Sequence, residues 1–177
     1  MKSISILLIE DNPADERLIK EMLKEIKSFD YTISSADTLK EGIEQIQTGS
    51  FEIILLDLNL PDSTGQQTFQ KVLDCCKQIP IVLISEIDDE KLALKLINEG
   101  AQDYITKHSL TPALGKSIQY AIERKRTQEA MKIKINELEN WNKRMSGREL
   151  RMVDLKKEVN ELLVRLGEKE KYRKNEE

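Results

Sequence analysis

Apolar and polar residues alternate between two patterns over the first two-thirds of the chain. Short apolar runs, each stopped by turn or charged residues, fall at 4–9, 31–35, 51–56, 80–84 and 102–105. Their length and β-branched content predict strands, and the unbroken runs among them predict strands buried on both faces. Between them, apolar residues recur every three or four positions, which predicts helices over 13–27, 38–47, 65–77 and from Asp88 or Asp89 to Glu99. A further helix begins near Pro112. End signals agree: Asn12 as N-cap with Pro13 at the first helical position, and Gly49 and Gly100 as stops. Five β–α units in about 120 residues predict an α/β fold, a doubly wound five-stranded parallel sheet with helices on both faces.

The pattern changes after Pro112, beyond which there is no proline. Met131, Leu138, Met145, Met152, Val159 and Leu166 recur every seven residues. Trp141, Leu155 and Leu162 fill a second seam position; Lys134 and Arg148 interrupt it, with Ile135 beside the first break. A sustained seven-residue repeat predicts a left-handed coiled coil. A stripe with nothing in its own domain to bury against needs a partner chain, so the expectation is a parallel homodimer through residues 125–170. The expected division is a domain over 1–124 and a helical coiled-coil extension over 125–177. Gly147 is the expected weak point, a kink or break, since a helix-interior glycine costs roughly 1 kcal/mol against alanine. The charged end, 168–177, is expected to fray.

Charge sharpens this division. Residues 1–122 carry 12 basic and 20 acidic side chains, net −8, whereas 123–177 carry 16 and 12, net +4. The acidic front argues against nucleic-acid binding, and the mixed signs behind it describe a solvated helix and not a DNA-binding arm. The only cysteines, Cys75 and Cys76, are adjacent and build no disulfide framework. The run Ile4–Ile9 is too short and leads straight into acids, so no signal peptide is expected, and no apolar run approaches the ~20 residues that span a bilayer. A reduced, cytoplasmic chain without membrane insertion is the expectation.

The candidate chemistry lies at the strand ends. The first strand ends in Glu10-Asp11, the third in Asp57, the fourth in Ser85 and the fifth in Lys107. In a parallel sheet these ends share one edge, where open α/β sheets place ligands. Clustered carboxylates repel one another and invite a hard divalent cation with oxygen ligands, such as magnesium. A lysine and a hydroxyl beside it would bind a phosphoryl group, giving a phosphoryl-transfer site that works by positioning and charge neutralisation.

These residues carry a resemblance. Ile9-Glu10-Asp11-Asn12, the segment from Leu56-Asp57 to Thr64-Gly65, Leu83-Ile84-Ser85, and the segment from Gly100 to Lys107 resemble, in order, the motifs of the receiver domain of bacterial two-component response regulators. The resemblance covers residues 1 to about 124. It implies that Asp57 takes a phosphoryl group from a histidine kinase or phosphotransfer protein. It also implies that Asp11, Asp57 and the backbone carbonyl of Asn59 coordinate magnesium, with Glu10 acting through water. Lys107 would pair with the acyl phosphate, Ser85 would bond a phosphate oxygen, and Tyr104 would turn inward as a two-state switch. Such a protein is not a conventional enzyme: it catalyses transfer to its own aspartate and slow hydrolysis, and a downstream protein reads the result.

Two positions depart from the family pattern. His108 stands where proline and a cis peptide are usual, and Glu86 where alanine or glycine is usual. The stretch 148–159 resembles the connector helices of histidine kinases, but His108 is the only histidine, so no kinase phosphoacceptor helix is present. Two rivals remain: a coiled-coil scaffold with a rarely phosphorylated head, and a haloacid-dehalogenase-like phosphohydrolase. The latter family uses Asp-x-Asp on an early strand, where this chain has Asp57-Leu58-Asn59 on its third.

Overall fold

The computed structural model describes residues 3–167 and 169–172, with side chains at 111–113 and 146–150 left aside. The chain separates into two compact units, Met1–Gln128 and Glu129–Glu177. In the first unit, strands β1 (Ile4–Ile9), β2 (Tyr31–Ala36) and β3 (Ile53–Asp57) alternate with helices α1 (Pro13–Glu25) and α2 (Leu39–Thr48). A two-stranded hairpin, β4 (Asn59–Leu60) and β5 (Ser63–Thr64), precedes α3 (Gln66–Cys75). Then come β6 (Ile81–Ser85), α4 (Glu90–Glu99), β7 (Asp103–Thr106), a 3-10 turn at Lys107–Ser109, and α5 (Leu110–Arg165). The sheet is parallel, in the order β2-β1-β3-β6-β7.

Side-chain alternation builds a core on each face of this sheet. Leu7, Ile9, Ile54, Leu56 and Leu83 point to one face and bury Leu39 and Ile46 of α2, Phe69 and Val72 of α3, and Leu96 of α4. Ile6, Leu8, Ile53, Leu55, Val82 and Ile84 point to the other and bury Ile19 and Leu23 of α1 with Leu114, Ile118 and Ala121 of α5. Each strand residue thus removes an apolar side chain from water, at about 25 cal/mol per Å². Helix starts are capped as the sequence suggests: Asn12 Oδ1 accepts from Ala14 N at 3.0 Å, and Asp89 Oδ1 from Lys91 N at 2.9 Å. Gly100 follows α4 at φ 126°, a conformation glycine alone adopts readily.

Several expected boundaries shift. β3 begins at Ile53, not at 51, and runs on to include Asp57. α1 stops at Glu25, because Ile26 turns to extended backbone and bonds back to Leu23 O. α5 begins at Leu110, before Pro112.

In the second unit the helix runs through Gly147, the weak point of the sequence, without a break to Arg165. Gly167, at φ 79°, follows its end. Of the stretch expected to fray, Glu168 and 173–177 lie outside the described residues. Lys171 and Tyr172, however, bond back: both backbone N–H groups donate to Asn160 Oδ1 at 3.0 Å. The seam residues Met131, Leu138, Trp141, Met152, Leu155 and Leu162 are all exposed. Among the described residues no helix is long and apolar enough to cross a membrane.

Candidate functional site

The strand ends set the site. Asp57 closes β3, flanked by β1 and β6, and is only 4% exposed. Glu10 directly follows β1, held there by its N–H bonding Ala36 O at 3.0 Å, and is also buried. Asp11 is exposed beside them. One carboxylate oxygen from each of Glu10, Asp11 and Asp57 lies within 4.8 Å of the others. Lys107, the first residue of the turn after β7, reaches across the sheet edge from the other side.

Its ammonium is the hub. Lys107 Nζ donates to Asp57 Oδ2 at 2.7 Å, to Glu10 Oε1 at 3.1 Å and to Asp15 Oδ2 at 2.7 Å. Glu10 Oε2 lies 2.9 Å from the same nitrogen. The other oxygen of Asp57, Oδ1, accepts from Asn59 N at 2.9 Å. The hairpin that carries Asn59 is closed by Gly65 N donating to Leu58 O at 2.7 Å. It is tied to α2 by Asp62, whose two oxygens accept from Leu39 N and Lys40 N, both at 2.9 Å.

Three carboxylates around one ammonium, with Asp11 beside Glu10 and Asp57, leave an excess of negative charge. Burial pushes the Glu10 carboxyl up to about 7; the hydrogen bond from Lys107 opposes this and the charge of Asp57 adds to it. Burial alone would lower the Lys107 pKa, but its bonds to Asp15, Asp57 and Glu10 outweigh that and raise it, so it stays an ammonium. The donor set, carboxylate oxygens within 4.8 Å at a polar sheet edge, fits a hard divalent cation.

The remaining expected residues lie around the loop after β6. Ser85, buried at the end of that strand, accepts from Ile87 N at 3.1 Å. Tyr104, half-buried on β7, donates its hydroxyl to Ile87 O at 2.6 Å. One peptide residue is therefore held by both. Glu86 and His108 are exposed, and the Lys107–His108 bond is trans, as are all described peptide bonds.

Asp15 is the site residue the strand-end reading overlooks. Its signal was local: with Asn12 capping and Pro13 starting α1, Asp15 falls in the first helical turn, where acids are favoured.

Comparison with known proteins agrees with the fold. A family model described as the response regulator receiver domain matches residues 6–119. The chain is 33% identical over 102 residues to the cell cycle transcriptional regulator CtrA of Caulobacter vibrioides, covering 58% of this chain and 43% of that protein. It is 34% identical over 102 residues to the cell cycle response regulator CtrA of Brucella ovis, with the same coverage. The chain thus spans less than half the length of these curated relatives. Among solved structures, a CheY-like receiver domain protein from Methanospirillum hungatei covers 72% of this chain and 99% of its own at TM-score 0.60 and 22% identity. The receiver domain of a LuxO-type repressor from Vibrio parahaemolyticus covers 73% and 98% at TM-score 0.63 and 24% identity. At these identities the two structures speak to the fold.

Proposed function

We infer the function from one premise: this chain belongs to the response regulator receiver family. Members of that family are in general not conventional enzymes. In our reading the head, residues 1–124, is the phosphoacceptor and 125–177 the coiled-coil extension. A histidine kinase or phosphotransfer protein donates to Asp57 in the cytoplasm. A carboxylate oxygen of Asp57 bonds to phosphorus while the phosphorus–nitrogen bond of the donor histidine breaks, and the imidazole keeps the electron pair. Lys107, already 2.7 Å from Asp57, moves to the incoming phosphoryl oxygens, and Ser85 gives up Ile87 N to donate to one of them. Because Tyr104 holds the carbonyl of the same Ile87, that loop and the ring shift together.

Magnesium would be held by Asp11, Asp57 and the carbonyl of Asn59, with Glu10 acting through water. When bound, it neutralises charge that the phosphoryl group and the carboxylates would otherwise share. The single observation that carries the reading is the Lys107 ammonium on Asp57 at the mouth of the sheet, with Glu10 and Asp11 beside it. The output is proposed to pass through protein contacts of the head or the geometry of a homodimer joined by the tail.

Incubation with magnesium and acetyl phosphate, followed by intact mass measurement, tests this. One phosphoryl group per chain, absent from Asp57→Asn, is expected. No label, or an unchanged label on Asp57→Asn, overturns the reading, and the first result leaves a scaffold with an idle head. Light scattering with and without beryllofluoride then tests the dimer: a monomer in both states rejects the homodimer.

A further inference from the structure

The phosphoacceptor reading uses Glu10, Asp11, Asp57 and Lys107 and leaves one carboxylate without a role. Asp15 Oδ2 lies 2.7 Å from Lys107 Nζ, as close as Asp57 Oδ2 is. Its side chain is 21% exposed and that of Lys107 is 9%, so solvent screens the pair only in part. The same oxygen accepts from Asn12 Nδ2 at 3.0 Å, and Asn12 Oδ1 in turn caps α1 through Ala14 N. Asp15 is therefore anchored to the helix cap, whose Asn12 N also donates to Glu10 Oε1 at 3.2 Å.

The ammonium has three protons, and carboxylates of Glu10, Asp15 and Asp57 occupy its reach. A phosphoryl group on Asp57 needs at least one of those protons. Charge-assisted hydrogen bonds are the strong ones, so a bond that must be given up carries a cost. Glu10 and Asp57 belong to the carboxylate trio that fits a divalent cation, and a bound cation would offset their claim on Lys107. Asp15 lies outside that trio, so its claim on the lysine persists.

We propose, resting on the reading of Asp57 as phosphoacceptor, that Asp15 is a positioning residue. It holds Lys107 in the unphosphorylated head and competes with the phosphoryl group for it. This sets the strength with which the head retains an acyl phosphate. A head without this tether would hold its phosphoryl group more firmly.

Calorimetric titration of the full chain with beryllofluoride in magnesium tests the proposal. Asp15→Asn is expected to bind about tenfold more tightly than wild type, the equivalent of one weakened charge-assisted bond. Asp15→Ser, too short to reach the ammonium, shifts the same way and guards against a folding artefact of the first variant. In a Lys107→Ala background the Asp15 substitution has no effect. Glu16→Gln removes the same charge from the next residue, which pairs with Lys20 and not Lys107, and leaves the affinity unchanged. Equal affinity of wild type and both Asp15 variants, or weaker binding by them, overturns the proposal. So does an equal gain in the Lys107→Ala background or from Glu16→Gln, since either means charge acting at a distance. A wild type that does not bind beryllofluoride at all overturns the phosphoacceptor reading instead.

Discussion

The head and the tail spend similar residues in opposite ways. In the head, Ile54, Leu56 and Leu83 are wholly buried, each strand passing its side chains alternately to helices on the two faces. In the tail, Trp141 is 67% exposed, Met152 55% and Leu162 51%. The difference is geometrical. A sheet with helices on both sides closes its core within one chain, whereas a helix with one apolar stripe closes nothing alone. The tail still adds a local device: Tyr172 donates its N–H to Asn160, and its own carbonyl accepts from Asn160 Nδ2 at 2.6 Å. Asn160 directly follows the seam residue Val159, so that device sits beside the stripe and not on it. Head stability should therefore depend on the chain itself, and tail stability on its concentration.

The largest effect should come from the head core. Leu83→Ala, at a site with no exposure, is expected to cost about 2–5 kcal/mol in urea unfolding. Trp141→Ala, measured on protein dilute enough to be monomeric, should stay within about 0.5 kcal/mol of wild type. A tryptophan loss as large as the leucine loss under those conditions would break the comparison. Paired Leu155→Asp and Leu162→Asp substitutions sharpen it next. They should convert a dimer to a monomer by light scattering while leaving the unfolding of the head unchanged. A mass unaffected by two seam charges would reject the proposed homodimer seam.

Most of the head was legible in the sequence because its strands are buried on both faces, and continuous apolar runs such as Ile53-Ile54-Leu55-Leu56 have few other homes. The strand-end residues Glu10, Asp11, Asp57 and Lys107 followed from the parallel topology, which sends every C-terminal end to one edge. The β4–β5 hairpin was not legible: strands of two residues carry no period, and a long-range bond pair from Asp62 to the start of α2 pins it. Asp15 was missed for a related reason. Its partner lies 92 residues away, and only the fold brings a first-turn acid onto that lysine. In the tail the stripe was plain, but continuity through Gly147 was not, since one glycine costs less than the rest of a long helix gains.

A smaller effect separates the site from the rest of the head by pH. The Glu10 carboxyl is raised from an ordinary 4.5 to about 7, chiefly by burial. The folded state therefore binds this proton more tightly than the unfolded chain does. The resulting stability is complete below about pH 4.5 and is lost as pH rises through 7. Unfolding of the metal-free protein at pH 5 and pH 8 should show a stability difference that Glu10→Gln removes. At pH 8 the variant should be more stable by about 1–2 kcal/mol. A difference between wild type and variant that stays constant across that window would mean burial does not hold a proton on Glu10.

The smallest effect should come from Glu86, which follows the buried Ser85 but points to solvent. It meets no core, so Glu86→Ala should leave unfolding unchanged. Its charge stands next to the Ser85 hydroxyl, proposed to donate to a phosphoryl oxygen on Asp57, and it repels an anionic donor that approaches the same edge. An exposed charge of this kind is worth at most about 1 kcal/mol, so labelling by acetyl phosphate should speed up by about two- to fivefold. The gain should shrink at 1 M salt, where the screening length falls to about 3 Å. Equal rates for the two proteins at low salt would remove Glu86 from the chemistry. A faster head with an unchanged solution mass would place the rate control in the head alone. A mass that changes with the rate would instead tie assembly of the tail to the phosphoryl group on Asp57.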